Sequence, residues 1–151
     1  MRFNGWPLAS IVCATLVSGP AAPGVEAAQP ATISPGELAT VLKGPAVERP
    51  LVIQVGFKIM FQQAHIPGAE YVGPGADAAA IEQLRKRVSS LHHDAFIVLY
   101  CGCCPWGKCP NVQPAAALLR SMGFTNVKLL HLANNFGADW AEKGYPVVAG
   151  Q

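Results

Sequence analysis

Apolar residues fall into two alternating patterns along this chain: short solid runs, and longer stretches spaced by three and four positions. The solid runs are Leu51-Val52-Ile53-Gln54-Val55, Phe96-Ile97-Val98-Leu99-Tyr100 and Val127-Lys128-Leu129-Leu130-His131. Runs of this length, rich in β-branched and aromatic residues, predict strands buried on both faces. The spaced stretches predict helices. Ser34-Pro35-Gly36-Glu37 opens one with a capping box and Pro at the first helical position, and Gly44 ends it. Asp77 stands at the N-cap of another, whose apolar residues Ile81, Leu84, Val88 and Leu91 oppose Glu82, Arg85, Lys86 and Arg87. His92 and His93 close that helix, where protonated imidazoles suit the negative end of the dipole. Val112, Ala115, Leu119 and Met122 mark a third helix, capped by Gly123, and a last one carries Phe136 and Trp140 one turn apart and ends at Gly144. Strands alternating with helices predict an α/β domain with a mainly parallel sheet covered on both faces.

The first thirty residues follow a different pattern. Arg2, a ten-residue apolar stretch from Leu8 to Val17, and the small residues around Val25-Glu26-Ala27 predict an export signal over residues 1–27. The apolar stretch is too short to span a bilayer, so the expected mature protein is periplasmic or secreted, with no membrane segment after cleavage. Residues 28–32 read as a linker, with Pro30 to Ile33 linker-like in composition, and residues 33–151 as a single domain. A chain of 151 residues, 51% of them hydrophobic, suffices for one core but not comfortably for two. Its net charge of +2 lacks the dense basic stripe that nucleic acid requires, which excludes that class of partner.

Four of the five cysteines fall between Cys101 and Cys109, directly after the run that ends at Tyr100, and the fifth, Cys13, lies in the leader. Such clustering points to chemistry or metal and not to a stapling framework. In an open α/β sheet ligands bind beyond the carboxyl ends of strands, and a loop entering a helix aims backbone N–H groups at an anion. Cys101 is therefore placed to act as a thiolate. His65, beside the Pro67-Gly68 turn, reads as a residue that orders the turn by hydrogen bonding.

Three segments, in order, carry a resemblance to the rhodanese-like sulfurtransferase family. They are His65-Ile66-Pro67-Gly68-Ala69, Ile97-Val98-Leu99-Tyr100-Cys101, and Leu118 to Val127 together with Trp140 and Gly144-Tyr145-Pro146-Val147. The resemblance covers residues 33 to 149 and implies a rhodanese-like three-layer fold with a five-stranded sheet. It also implies a catalytic cysteine that becomes a persulfide, which by position is Cys101. Two departures stand out. Gln54-Val55-Gly56 replaces the family's Asp-x-Arg, and the active loop is roughly five residues longer than the family pattern, so either Lys108 or Asn111 falls where the family has arginine.

The expected activity is transfer of a sulfane sulfur from a small anionic donor such as thiosulfate to a thiol or other thiophilic acceptor, with no cofactor. Gly102, Cys103, Cys104, Pro105, Trp106, Gly107 and Lys108 are the expected donor-binding residues, Gly102 and Gly107 letting the backbone curl towards the sulfur. Lys108 is the loop's cation. Cys103, Cys104 and Cys109 are candidates for resolving the persulfide or for a disulfide, in which Cys109 pairs with Cys103 or Cys104. Alternatives from other classes are a thiol-disulfide protein, a soft-metal site built from the four loop sulfurs, and a non-catalytic interaction domain.

Overall fold

Ile97 to Tyr100, the run without a polar residue, forms the middle strand of the sheet, and none of its four residues is exposed. The computed structural model describes residues 30–150; the predicted leader and Cys13 lie outside them. In chain order the elements are β1 (Ala31–Ile33), α1 (Pro35–Lys43), β2 (Leu51–Gln54), α2 (Lys58–Gln63), β3 (Glu70–Tyr71), α3 (Ala78–Val88), β4 (Ile97–Tyr100), α4 (Val112–Ser121) and β5 (Val127–Leu130). A short π-helix, Gly137–Ala141, follows. The five strands are all parallel, in the order β1-β5-β4-β2-β3. No helix among the described residues is long and apolar enough to cross a membrane.

Because side chains alternate along a strand, β2 and β4 feed two cores. Ile53, Ile97 and Leu99 pack with Leu84 and Val88 of α3 and with Ala115 and Leu119 of α4. Val52, Val98 and Tyr100 pack on the other face with Leu38 of α1 and with Trp140. Cys101, next in the alternation after Leu99, falls on the α3/α4 side. Trp140 is fully buried, and its indole N–H donates to the Pro146 carbonyl at 2.9 Å. The two-residue edge strand β3 is tied to α3 by Arg87, whose guanidinium grips both carboxylate oxygens of Glu70.

The capping box of α1 forms as expected: the Glu37 N–H donates to Ser34 Oγ at 3.3 Å, and the Ser34 N–H donates to Glu37 Oε2 at 2.8 Å. Hydrogen bonds from Ser34, first of all its hydroxyl, hold the Glu37 carboxyl below its ordinary value of 4.5. A carboxyl depressed on folding adds stability above its unfolded pKa and loses that contribution as pH falls through the folded value. Ser34→Ala is therefore expected to lower Tm by about 3–5 °C at pH 7. That gap should narrow in thermal melts as pH falls below about 4.5 and on through the lower folded pKa, beyond which Glu37 is neutral in both states.

Several elements depart from the sequence pattern. The segment read as linker-like contains β1, which pairs with β5 (Ile33 with Leu130) because the sheet edge supplies hydrogen bonds that composition does not reveal. Helix α2, which buries only Phe61, has no counterpart in the expected elements. α3 stops at Val88, and Leu91, His92 and His93 lie in the turn beyond it. His93 packs edge-on against Phe124, and its carbonyl accepts from the Thr125 N–H, so neither histidine closes a helix. Asp77 occupies the N-cap of α3, but its side chain makes no capping hydrogen bond. Phe136 and Trp140 stack with centroids 6.2 Å apart across a π turn and not along an α-helix. His65 is buried, lies flat against Phe61, and donates from Nδ1 to the Phe61 carbonyl at 2.7 Å, so its side chain secures the end of α2 and not the Pro67-Gly68 turn, which the Ala69 N–H closes on the Ile66 carbonyl.

Candidate active site

Chain direction puts every strand's carboxyl end on one side of the sheet, and β4, flanked by β2 and β5, delivers Cys101 to the middle of that side. Cys101 is 2% exposed. The chain turns immediately afterwards at Gly102, whose φ of +83° lies in the left-handed region and whose missing Cβ would sit 2.8 Å from Phe136 Cβ. A side chain here would be both strained and crowded. The Gly102 carbonyl accepts from the Phe136 N–H, and the Trp106 N–H donates to the Ala133 carbonyl, so the long loop is docked onto the segment after β5. Trp106 completes this docking by placing its ring edge-on to His131 at 4.8 Å.

Asn111, at the N-cap of α4, is the residue that reaches back to the sulfur. Its Oδ1 accepts from the Ala76 N–H at 3.1 Å, which fixes the amide orientation, and its Nδ2 donates to Cys101 Sγ at 3.3 Å. The side chain is 1% exposed. An N–H aimed at a buried sulfur stabilises negative charge developing there. Of the two residues that the sequence left as replacements for the family arginine, Asn111 makes the contact, whereas Lys108 sits exposed on a 3-10 turn, Trp106–Lys108.

Two glycines that the sequence did not single out for the site permit this packing. A Cβ on Gly56, just past β2, would meet the Cys101 carbonyl oxygen at 2.8 Å and Sγ at 3.2 Å. A Cβ on Gly75 would lie 2.0 Å from the Asn111 carbonyl oxygen. Gln54, where the family has an acid, is buried and donates from Nε2 to the Cys101 carbonyl at 3.4 Å, while its Oε1 has no partner. It also lines a cavity of about 260 Å³ with Met60, Gln63, Ala64 and Phe136 beside the base of the loop. Gly107, expected to help curl the loop, has open space around it and no positive φ, so that position does not require glycine.

The remaining cysteines gather around Cys101. Cys103 Sγ lies 3.1 Å from Cys101 Sγ, and Cys104 Sγ lies 3.0 Å from Cys103 Sγ. The sulfurs of Cys101, Cys103 and Cys109 lie within 4.8 Å of one another, a donor set suited to a soft metal ion. All four cysteines of the described residues are free thiols. The expected disulfide from Cys109 to Cys103 or Cys104 is not formed, and the short sulfur contacts run instead from Cys101 to Cys103 and from Cys103 to Cys104. Burial, reinforced by the contact with Cys104, pushes the Cys103 thiol up to about 11, against the opposing contact with Cys101. Cys109 is pushed well above the thiol range, first by its hydrogen bond with Cys101 and then by burial. The backbone amides of Asn111 and Val112 offset part of that rise. The opening amides of α4 thus act on Cys109, while the amide of Asn111 serves Cys101. Both accessory thiols keep their protons at neutral pH; Cys109 lends its S–H to Cys101, whereas in the contact between Cys101 and Cys103 either sulfur can be the donor.

With that geometry in view, comparisons with known proteins are informative. A family model described as the rhodanese-like domain matches residues 35–133. The rhodanese-like domain of the Alr3790 protein from Anabaena is 26% identical over 80% of this chain and 80% of its own, with a TM-score of 0.58. A crystal structure of the Alr3790 protein gives 28% identity over 78% of this chain and 92% of that one, with a TM-score of 0.56. A single-domain sulfurtransferase from Saccharomyces cerevisiae, 17% identical over 78% and 94% of the two chains with a TM-score of 0.57, shares the fold. No curated protein matches the chain.

Proposed function

The chain belongs to the rhodanese-like domain family, and from that premise we propose that it is a sulfurtransferase in which Cys101 carries the sulfur. The observation that carries the reading is the placement of Cys101. It is a buried sulfur at the carboxyl end of the central strand, with the amide N–H of Asn111 at 3.3 Å and the Cys103 thiol at 3.1 Å. As a thiolate, Cys101 attacks the sulfane sulfur of an anionic donor such as thiosulfate. The Sγ–S bond forms, the donor's S–S bond breaks, and its electron pair leaves with sulfite. The persulfide then holds the sulfur for a thiophilic acceptor, and Asn111 stabilises the charge on Cys101 before and after transfer. The leader, which lies outside the described residues, supports a periplasmic or secreted setting for these reactants.

Sulfane-labelled thiosulfate tests the reading directly. One equivalent added to the reduced protein should release sulfite, and acid quenching within the first turnover should place the label, about +32 Da, on the peptide containing Cys101. Label on Cys104 in place of Cys101, or no sulfite, refutes the assignment.

Lys108 is proposed to draw the donor to the loop, being the loop's cation and exposed there. A single exposed charge contributes roughly 1 kcal/mol to an encounter of this kind, or about fivefold in affinity. Lys108→Gln should therefore raise KM for thiosulfate about fivefold with kcat little changed. An unaltered KM would assign donor attraction to backbone and amide N–H groups.

A further inference from the structure

A single thiol is enough to accept a sulfane sulfur and hand it on, yet three more crowd the same loop. Cys103 is in direct contact with the carrier, its Sγ 3.1 Å from Cys101 Sγ. Gly102, between them, takes a φ of +83° and turns the chain so that the two side chains meet on one side. Two sulfurs joined in a disulfide lie at about 2.05 Å, so closure requires a relative movement of only about 1 Å. Cys104 touches Cys103 and not Cys101; Cys109, just after the 3-10 turn, also reaches Cys101, its sulfur within 4.8 Å, but Cys103 is the neighbour whose sulfur lies at 3.1 Å and only one residue away across the Gly102 turn. A thiol held in van der Waals contact has an effective concentration that a diffusing acceptor, at micromolar to millimolar levels, does not match.

We infer that Cys103 resolves the persulfide on Cys101: its sulfur attacks Cys101 Sγ, a Cys101–Cys103 disulfide closes, and the sulfane sulfur leaves as hydrogen sulfide. The inference rests on the persulfide reading above and names the first acceptor within it. The Sγ–Sγ bond forms as the bond from Cys101 Sγ to the outer sulfur breaks, and the electron pair departs with that outer sulfur. The proton of the Cys103 thiol goes to solvent or to the departing HS⁻. The sulfane sulfur is reduced by two electrons, and the two cysteine sulfurs are oxidised by one each. Return to the dithiol requires an external two-electron thiol reductant, either a small thiol or a dithiol protein, acting by thiol-disulfide exchange. On this reading the domain couples consumption of a sulfane donor to consumption of thiol reducing equivalents, and its product is sulfide.

A single-turnover experiment without added thiol decides it. The fully reduced chain is mixed with one equivalent of thiosulfate, and sulfite, sulfide, intact mass and disulfide-linked peptides are followed in time. Wild type should yield sulfite and then nearly equal sulfide, lose two free thiols, fall in mass by about 2 Da, and give a linkage mapping to Cys101 and Cys103. Cys103→Ser should keep the sulfur on Cys101, about +32 Da, and reduce the sulfide yield at least tenfold until an external thiol is added. Cys103→Ala serves the same purpose if serine disturbs the loop.

Wild-type protein that releases sulfite but keeps its persulfide until thiol is supplied overturns internal resolution and leaves the sulfurtransferase reading standing. A linkage mapping to any other pair overturns the assignment of Cys103. Absence of sulfite from wild type removes the persulfide itself, and the inference falls with it.

Discussion

Cys101→Ser should lower sulfite release from thiosulfate by at least about a thousandfold while the domain still unfolds cooperatively. The two halves of this expectation have separate origins. A serine hydroxyl is almost fully protonated at neutral pH, and its oxygen attacks divalent sulfur poorly, so the step that breaks the donor's S–S bond loses its nucleophile. The fold loses much less. Cys101 contributes one small buried side chain to the core shared by Leu99, Val112 and Ala115, and a hydroxyl at the same place meets the Asn111 amide N–H. A net cost of about 1 kcal/mol follows from exchanging a sulfur for a hydrogen-bonded hydroxyl. Sulfite release and a thermal melt on the same sample check both halves. Retained activity here, with loss in Cys104→Ser, would mean that another sulfur of the loop is the nucleophile.

Gly75→Ala should be the most damaging small change, although residue 75 belongs to neither strand nor helix. The added methyl would stand 2.0 Å from the Asn111 carbonyl oxygen, a backbone atom with no rotamer in which to escape. Gly75 is itself held by its N–H to the Val55 carbonyl at 3.0 Å, and Ala76, the next residue, donates to Asn111 Oδ1. Relief therefore means separating the 73–77 turn from the start of α4, which breaks the bond that fixes the Asn111 amide. Overpacking of this severity costs about 3 kcal/mol or more, or roughly 10 °C in Tm for a domain of this size. Alkylation of Cys101 should also become faster, because the sulfur loses its cover. A melt within 2–3 °C of wild type, at about the scale of a tolerated surface change, would show that the turn yields easily.

Legibility in the sequence followed burial. β2, β4 and β5 were legible because central parallel strands must be apolar on both faces, and the position of Cys101 follows from the end of one of them. Edge strand β1 was not, since Ala31 and Thr32 are exposed and its hydrogen bonds depend on a partner far along the chain. Helix α2 escaped for a similar reason, with six residues, one of them buried, and no side-chain cap. In the site, local sequence marked the cysteines, but the choice between Lys108 and Asn111 needed the Ala76 N–H that orients the amide. Gly56 and Gly75 carry no local signal at all. Their requirement comes from what passes in front of them, Cys101 in one case and Asn111 in the other.

The pairing of β1 with β5 also dictates an order of assembly. Ala31 lies opposite Lys128, about a hundred residues later, so the loop closed by this pairing is among the largest the domain contains. β2, β3 and β4 can pair and gather α3 while the chain is still lengthening, but β1, with α1 just behind it, has no hydrogen-bonding partner until β5 exists. A chain emerging amino end first thus carries β1 unpaired until β5 has emerged. The core face that holds Leu38 and Trp140 stays open for the same interval, while the sulfur-bearing face, built from β2, β4, α3 and α4, is settled sooner. Completion of this domain is therefore the seating of β1 on β5, beside a cysteine-bearing loop whose strand is already in place.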